Sequence, residues 1–478
     1  MIELPALPAA PPGVRYALTV PQSVLFADLS LRGSLREVFR RVFDIDYAPS
    51  FIAVDDGAMS WDFSPSDPFN RELVKYDGST EEVVSRFIEA CGRTSRSLTR
   101  IATVVSPSSR RRESSMQADL LHDLGAFWDA YEDHMATLYT FWNVENLLTE
   151  SLIDALRDGG FSQEIADGLP TFIRPSERNW FSYEQSNLAV LQERFGDNQS
   201  EVVKRAAQDH VNTFGFLLAP FNVGNLPTAN EALKRMASLK VSPTRIVDSP
   251  SMNNFPTDVQ ALGHLERQLS FWKTERLDAF ALGDAIARPL YEDLAQYLQM
   301  PLYLVFSMTR EEIERAIEGA RPPLHVLETR NSGYCLALID NSIDFYEPTH
   351  TDPISSSEHT VAASGQVLTG SSASPGQVRG RVHIVQPWEV PEFSDDEIIV
   401  TRMTRPEMGA ALDIALAYVT DEGGMLSHAA IVSREKGKPC VVGLGNATEL
   451  LRQGMFIDVD GTAGTVTVVD ASFLESRE

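Results

Sequence analysis

The stretch YVTDEGGMLSHAAIVSREKGKPCVVG, residues 418 to 443, sets Gly423 and Gly424 just ahead of Ser427 and His428, with a run of helix formers directly after them. A glycine pair lets the chain turn sharply, so Ser427 and His428 fall in the first turn of a helix, where backbone N–H groups lack partners and the dipole is positive. That position favours an anion. An imidazole there can act as a nucleophile toward a phosphoryl group, because the product on its ring nitrogen meets helix-terminal donors. Ser427 adds a hydroxyl. Taken alone, a histidine at a helix start is more often a cap or core residue than a nucleophile.

The elements that must position them read as strand, glycine turn, helix, tight turn and strand. Gly437 is the helix stop, and Pro439 and Gly443 serve backbone geometry. Asp421 and Glu422 are open to two readings, orienting the imidazole or acting as ordinary turn acids. His383 lies on a β-run without a glycine turn or helix start and ranks far below His428. Around this core, VRGRVHIV, EIIVTRM, IALAYVTDE, KPCVVGLG, MFIDVDG and GTVTVV are strand candidates separated by Gly, Pro and Asp turns. They define a β-rich domain over residues 366 to 478.

Upstream, residues 1 to 115 mix short β-like runs (VRYALTV, and SFIAVDDGAMSWDF with a turn at Asp55-Asp56-Gly57) into a small mixed subdomain. TVVSPSSRRRESS, residues 103 to 115, reads as an exposed loop or helix lead-in. From 116 to 348 the apolar period becomes helical, as in Leu120, Leu124, Phe127, Trp128 and Tyr131, with a stop at Gly159-Gly160. Further helices are expected at 183–195, 199–215, 228–239, 257–299 and 309–319. Thr309 and Glu312 have capping-box spacing, and Gly319 ends that helix. HVLETR and YCLALID read as strands. The polar segment 349 to 365 has no periodic apolar face and is assigned as linker and hinge. The fold class is therefore α+β and multidomain, mostly helical in the N-terminal and middle regions and β-rich at the C-terminus.

Composition limits the partners. Lys and Arg number 41 against 67 Asp and Glu, a formal net charge of -26 that opposes attraction to nucleic acid or an anionic membrane. No run of apolar residues is long enough to span a bilayer, and the N-terminus has Glu3 and several prolines in place of a leader pattern, so the chain reads as cytoplasmic. Cys91, Cys335 and Cys440 lie far apart without CxxC spacing; they read as buried residues, and no metal site is expected.

The pattern GG-x-x-SHAAI-x-x-R-x-x-G-x-P-x-V-V-G closely resembles the phosphohistidine motif of the mobile domain in phosphoenolpyruvate-utilising enzymes. ASPGQVRGRVHIV (373 to 385) resembles that family's opening strand pair. IIVTRMTRPEMGAALDIALAYVTDEGG resembles its strand, Thr-x-Pro-type loop and helix, and FIDVDGTAGTVTV (456 to 468) its close. The resemblance implies a C-terminal β/β/α swivelling domain carrying phosphate on His428, with Gly423, Gly424 and Ser427 supporting it. Thr404 falls where the family places a loop near the phosphorylated ring; a plain turn-and-cap role fits that residue equally. Phosphoenolpyruvate synthase-like proteins pair this domain with an ATP-grasp domain, but residues 1 to 350 contain no glycine-rich phosphate loop joined to Lys- and Arg-bearing strands.

HVNTFGFLLAPFNVGNLPT (210 to 228) and PLYLVFSMTREEIERAIEG followed by Arg330 look like the acceptor-binding region of rifampicin phosphotransferase-like proteins. His210, Asn222 and Arg330 are the acceptor-binding candidates, within a region that also holds Phe214, Asn225 and Thr228. Each of these is individually more often structural, since pockets use few polar groups. Phenylphosphate synthase, as a family, keeps the nucleotide part on a separate polypeptide. The resemblance thus implies a phosphotransferase subunit served by an ATP-grasp partner that supplies ATP and Mg2+, acting on a small hydroxyl- or enol-bearing acceptor. The alternative is a binding or regulatory module that keeps the fold without turnover. A phosphoenolpyruvate-using enzyme is disfavoured on the expectation that such an enzyme carries a TIM-barrel pattern after its histidine domain.

Overall fold

The computed structural model describes residues 15–19, 23–45, 51–55, 58–61, 79–106, 116–161, 180–196, 200–218, 228–238, 253, 255–339, 341–346, 362–385, 396–404, 408–421 and 427–470. The chain divides into two compact units, one over 1–190, 198–232 and 247–349, the other over 191–197, 233–246 and 350–478.

The first unit is built on long helices. α1 (Val24–Arg32) and α2 (Arg36–Phe43) precede α3 (Thr80–Val105) and α4 (Met116–Asp158). Shorter helices follow, α5 (Trp180–Phe195), α6 (Glu201–Phe214) and α7 (Ala229–Ser238), before the long α8 (Thr257–Leu298). α9 (Leu302–Val305), α10 (Arg310–Ile317) and α11 (Leu324–Ser332) complete the helical part. The three- and four-residue apolar spacing of α4 buries Leu120, Leu124, Phe127, Trp128, Tyr131 and Met135. They share one core with Leu98 and Ala102 of α3 and with Phe280, Leu290, Tyr291 and Leu294 of α8. Trp128 and Tyr291 satisfy each other there, Trp128 Nε1 donating to the Tyr291 hydroxyl at 3.0 Å.

A five-stranded antiparallel sheet accompanies these helices. Its strands β1 (Arg15–Thr19), β2 (Phe51–Asp55), β3 (Ala58–Trp61), β4 (Cys335–Ile339) and β5 (Ser342–Tyr346) lie in the order β1-β3-β2-β4-β5. β2 and β3 form the expected hairpin; Asp56 and Gly57 at its tip lie outside the described residues. β2 also pairs with β4, Ile52 opposite Leu338 and Val54 opposite Leu336. Residues 1–115 are therefore no separate subdomain. Their strands need the edge that β4 offers, and α3 packs along α4 and α8.

HVLETR is helical, not extended. Pro323 leads into α11, Leu327 is buried in the core, and Arg330, one turn on, reaches back to α10. Six residues are too few to separate a period of 2 from one of 3.6. The other helix positions follow expectation, including the capping box at α10: Glu312 N–H donates to Thr309 Oγ1 at 3.3 Å, and Thr309 N–H to Glu312 Oε2 at 3.1 Å. Residues 107–115, read as loop, lie outside the described residues, while 103–105 extend α3.

The second unit holds an eight-stranded sheet of β6 (Val367–Thr369), β7 (Ser371–Ser374), β8 (Gln377–Ile384), β9 (Glu397–Thr401), β10 (Tyr418–Thr420), β11 (Cys440–Val442), β12 (Phe456–Asp460) and β13 (Thr465–Asp470). Its order is β6-β13-β12-β8-β9-β10-β11-β7. β8, β9, β10 and β11 run parallel, and the flanking pairs are antiparallel. α12 (Gly409–Ile414) connects β9 to β10, α13 (His428–Lys436) connects β10 to β11, and α14 (Ala447–Leu450) follows β11.

Period-2 alternation sorts the strand residues onto two faces. Ile399, Tyr418, Cys440 and Val442 pack with Ala411, Leu412, Ala429 and Ala430 of α12 and α13. Ile398, Val400, Val419 and Val441 pack on the other face with Ala447 of α14 and with Val459 and Val466. The domain begins earlier than Gln366: Ala362 is buried and donates its N–H to Leu450 O at 2.9 Å, and Gly365 N–H donates to Val468 O at 2.7 Å. Those backbone bonds take 362–365 out of the assigned hinge; residues 349–361 lie outside the described residues.

Candidate functional site

The parallel strands β9 and β10 end side by side. Asp421, just past β10, donates its N–H to Thr401 O at 3.1 Å, and beyond β11 the N–H of Leu444 reaches Thr420 O at 3.1 Å. Three loops thus converge at the carboxyl edge of the parallel strands, the place where open α/β sheets bind ligands. Thr404 follows β9 at this edge and is buried. Ser427 and His428 open α13 after β10. Thr404 and the histidine are thereby brought to the same edge. Gly423 and Gly424 lie outside the described residues, as do Arg405, Pro406 and Glu407.

Ser427 is the N-cap of α13, with extended backbone (φ -65°, ψ 158°) and its Oγ accepting from Ala430 N–H at 3.3 Å. That bond consumes a lone pair and leaves the hydroxyl proton for a further acceptor. His428 is the first helical residue, where its own N–H and that of Ala429 have no intrahelical acceptor. At the other end Gly437 adopts φ 62°, and Lys438 N–H donates to Ser433 O at 2.9 Å. Arg434 Nε donates to Ala373 O at 2.7 Å, tying the helix to β7, and Ala429 and Ala430 are buried against the sheet. The helix start is held from both sides by packing and capping.

Asp421 does not sit at the surface. It is buried, and its carboxylate accepts from Thr448 N–H at 3.1 Å and from the Thr448 hydroxyl, so it caps α14 from another loop. Burial raises its pKa, and the hydrogen bonds from Thr448 oppose that rise. Asn446 at the N-cap of α14 was the available signal for a helix start at this point, but the carboxylate that Thr448 bonds lies 27 residues upstream and spacing does not reveal it.

The other candidates are committed elsewhere. His383 on β8 pairs through Nδ1 with Glu397 Oε2 at 2.9 Å. His210 is buried on α6 between two side chains of α5, Nδ1 against Asn187 Oδ1 at 2.8 Å and Nε2 against Glu184 Oε1 at 3.2 Å. Arg330 binds Glu312 with both nitrogens, at 2.6 and 3.0 Å, and its guanidinium lies 3.8 Å from the Phe345 ring centre. Since Glu312 also closes the capping box, Arg330 braces α10. His210 and Arg330 thus answer to separate partners on separate elements. Asn222 and Asn225 lie outside the described residues, and Thr228 precedes α7. All three cysteines are free and buried, and burial pushes the Cys91 and Cys440 thiols up to about 12. Among the described residues no group of three or more His, Cys, Asp or Glu is arranged to hold a metal ion, and no helix is long and apolar enough to cross a membrane.

A parallel β-α-β-α-β core that offers a histidine at a capped helix start, at the carboxyl edge of its strands, defines a β/β/α histidine-presenting domain. Residues 393–464 match the family described as PEP-utilising enzyme, mobile domain, and the second unit carries a domain of that family. The chain is 52% identical over 101 residues to the phosphoenolpyruvate synthase of Pyrococcus furiosus, covering 21% of this chain and 12% of that protein. It is 47% identical over 111 residues to a probable phosphoenolpyruvate synthase of Methanothermobacter thermautotrophicus, covering 23% of this chain and 16% of the other. An uncharacterized protein of Mycobacterium bovis is 43% identical over 119 residues, 25% of this chain and 14% of its own length. The chain thus spans a small part of the length of each of these relatives.

Proposed function

We propose that this chain is a phosphotransferase component that carries a phosphoryl group on His428 from a nucleotide-bearing partner to a small acceptor held by the helical unit. The observation that supports it most is the placement of His428 at the first position of a serine-capped helix, inside the stretch that matches the mobile-domain family. A ring nitrogen of neutral His428 attacks phosphorus, and the bond to the leaving phosphate oxygen breaks. The Ser427 hydroxyl and the N–H groups at the start of α13 then face the new negative charge. In the second half the acceptor oxygen attacks, its proton is lost, and the P–N bond breaks to restore the imidazole. Splitting one transfer in two lets a single arm serve two distant pockets.

The ultimate donor in this reading is ATP with Mg2+, bound by a separate ATP-grasp polypeptide, and AMP and inorganic phosphate are released. One of the two phosphoryl groups lost by ATP goes to water and the other to His428. The acceptor is a small hydroxyl- or enol-bearing molecule, and the compartment is the cytoplasm. Incubation with labelled ATP, magnesium and the partner should give an acid-labile, base-stable phosphoprotein, with the mass increase on the peptide containing His428. His428→Ala should abolish the label and leave the unfolding midpoint unchanged. Label persisting in that variant removes His428 from the mechanism.

A further inference from the structure

The middle of the helical unit buries more positive charge than its neighbours balance. Arg276 on α8 is 3% exposed, and its Nε and Nη1 have no hydrogen-bond partner among the described residues. What it does have is the Phe141 ring, 4.2 Å from the guanidinium carbon. Lys273, one turn earlier, lies 5.7 Å from the same ring and bonds Glu145 Oε1 at 2.6 Å. Glu145 is thus engaged by the lysine. The other ionisable groups acting here do not compensate: burial pushes the Cys91 thiol up to about 12 and the Glu266 carboxyl up to about 8, so both are uncharged at neutral pH. Among the described residues of this cluster, two cations and one carboxylate remain. An unpaired guanidinium out of water is costly, and the arrangement that resolves it is an anion with oxygen acceptors for the fork.

We propose that Arg276, with Lys273 beside it and Phe141 beneath both, is a binding site for a small oxyanion, the carboxylate or phosphate group of a ligand held by the helical unit. Access follows from the exposure gradient: the Lys273 side chain is 22% exposed and that of Glu145 10%, so the cluster opens toward solvent on the lysine side. Identifying the occupant with the phosphoryl acceptor rests on the function proposed above; the oxyanion site itself does not. The backbone of Arg276 is fixed separately, its carbonyl accepting from His134 Nε2 at 2.8 Å, so the side chain can be altered without disturbing that bond.

Calorimetric titration of the full chain with sodium acetate and with inorganic phosphate, against sodium chloride at matched ionic strength, tests this. Saturable binding of one of the two, beyond chloride, is expected; which one binds separates a carboxylate ligand from a phosphate ligand. Arg276→Met should weaken it about tenfold or more, the loss of a charge-assisted bond. Glu145→Gln should tighten it, because the carboxylate that competes for Lys273 is gone. That gain keeps the test informative if Arg276→Met does not fold. No binding beyond chloride, unchanged affinity in Arg276→Met, or no gain in Glu145→Gln overturns the site. The titration repeated on His428→Ala should match the wild type, so failure of the phosphohistidine reading and failure of the oxyanion site give different results.

Discussion

The cap on α13 can be separated from the anion site it borders by two substitutions at one residue. Ser427→Ala removes the oxygen that accepts from Ala430 N–H, and a lost N-cap costs about 1 kcal/mol. Ser427→Asp restores an acceptor and adds a charge that suits the helix dipole, so stability should return to the wild-type level or rise slightly. Phosphorylation should respond in the opposite sense. The introduced carboxylate is adjacent in sequence to the residue that receives the phosphoryl group. At a separation of about 7 Å and an effective dielectric of about 20, two unit charges repel by roughly 2 kcal/mol. Hence the rate of labelling should fall roughly thirtyfold in Ser427→Asp, and much less in Ser427→Ala. The assays are initial rates of label incorporation from the partner and hydrogen exchange of α13 amides. If Ser427→Asp restores protection and also labels at the wild-type rate, no phosphoryl group approaches the start of this helix and the reasoning fails.

Two further outcomes follow from the same physics. His134 is fully buried, its Nε2 donating to Arg276 O at 2.8 Å, and burial holds its pKa down at about 3 against an ordinary 6.5. A lowered histidine pKa contributes stability above the unfolded value that is lost as pH falls toward the folded one. About 3.5 units of separation corresponds to at most roughly 5 kcal/mol between pH 6.5 and 3. Urea midpoints measured over that window should fall with pH more steeply in the wild type than in His134→Gln; equal slopes would refute it. At Gly437, φ is 62° and an added Cβ meets nothing within 4 Å, so Gly437→Ala should cost about 1 kcal/mol through backbone strain alone. Gly437→Asn should cost less, and equal urea midpoints for Gly437→Ala and wild type would contradict the left-handed cap.

How far the sequence carried this far depends on whether the signal was local. α13 was readable end to end because its cap, its stop and its flanking strands all lie within residues 418 to 443. The capping box of α10 was readable for the same reason, Thr309 and Glu312 being three apart. What failed was long-range pairing. β2 and β4 are separated by more than 270 positions, and nothing in either strand's alternation names the other. HVLETR was misread because its apolar residues fit both periods, and only the partner of Arg330 decides between them.

The candidate site divides along the same line. The placement of His428 at a helix start was legible in the sequence because its cap and the helix that follows are carried by consecutive residues. Arg276 could not, since nothing in its local sequence separates it from an arginine on a solvated helix face. Its buried, unpartnered state arises only when α3, α4 and α8 come together, with Cys91, Phe141 and Glu145 supplied from more than a hundred residues away. His210 and Arg330 illustrate the converse. Both looked available for an acceptor in sequence, and both are consumed by carboxylates, Glu184 and Glu312, that fold onto them. A polar side chain is free to bind a ligand only when its neighbours leave it without a partner, and that is a property of packing. Among the described residues of the helical unit, Arg276 is in that condition, and His210 and Arg330 are not.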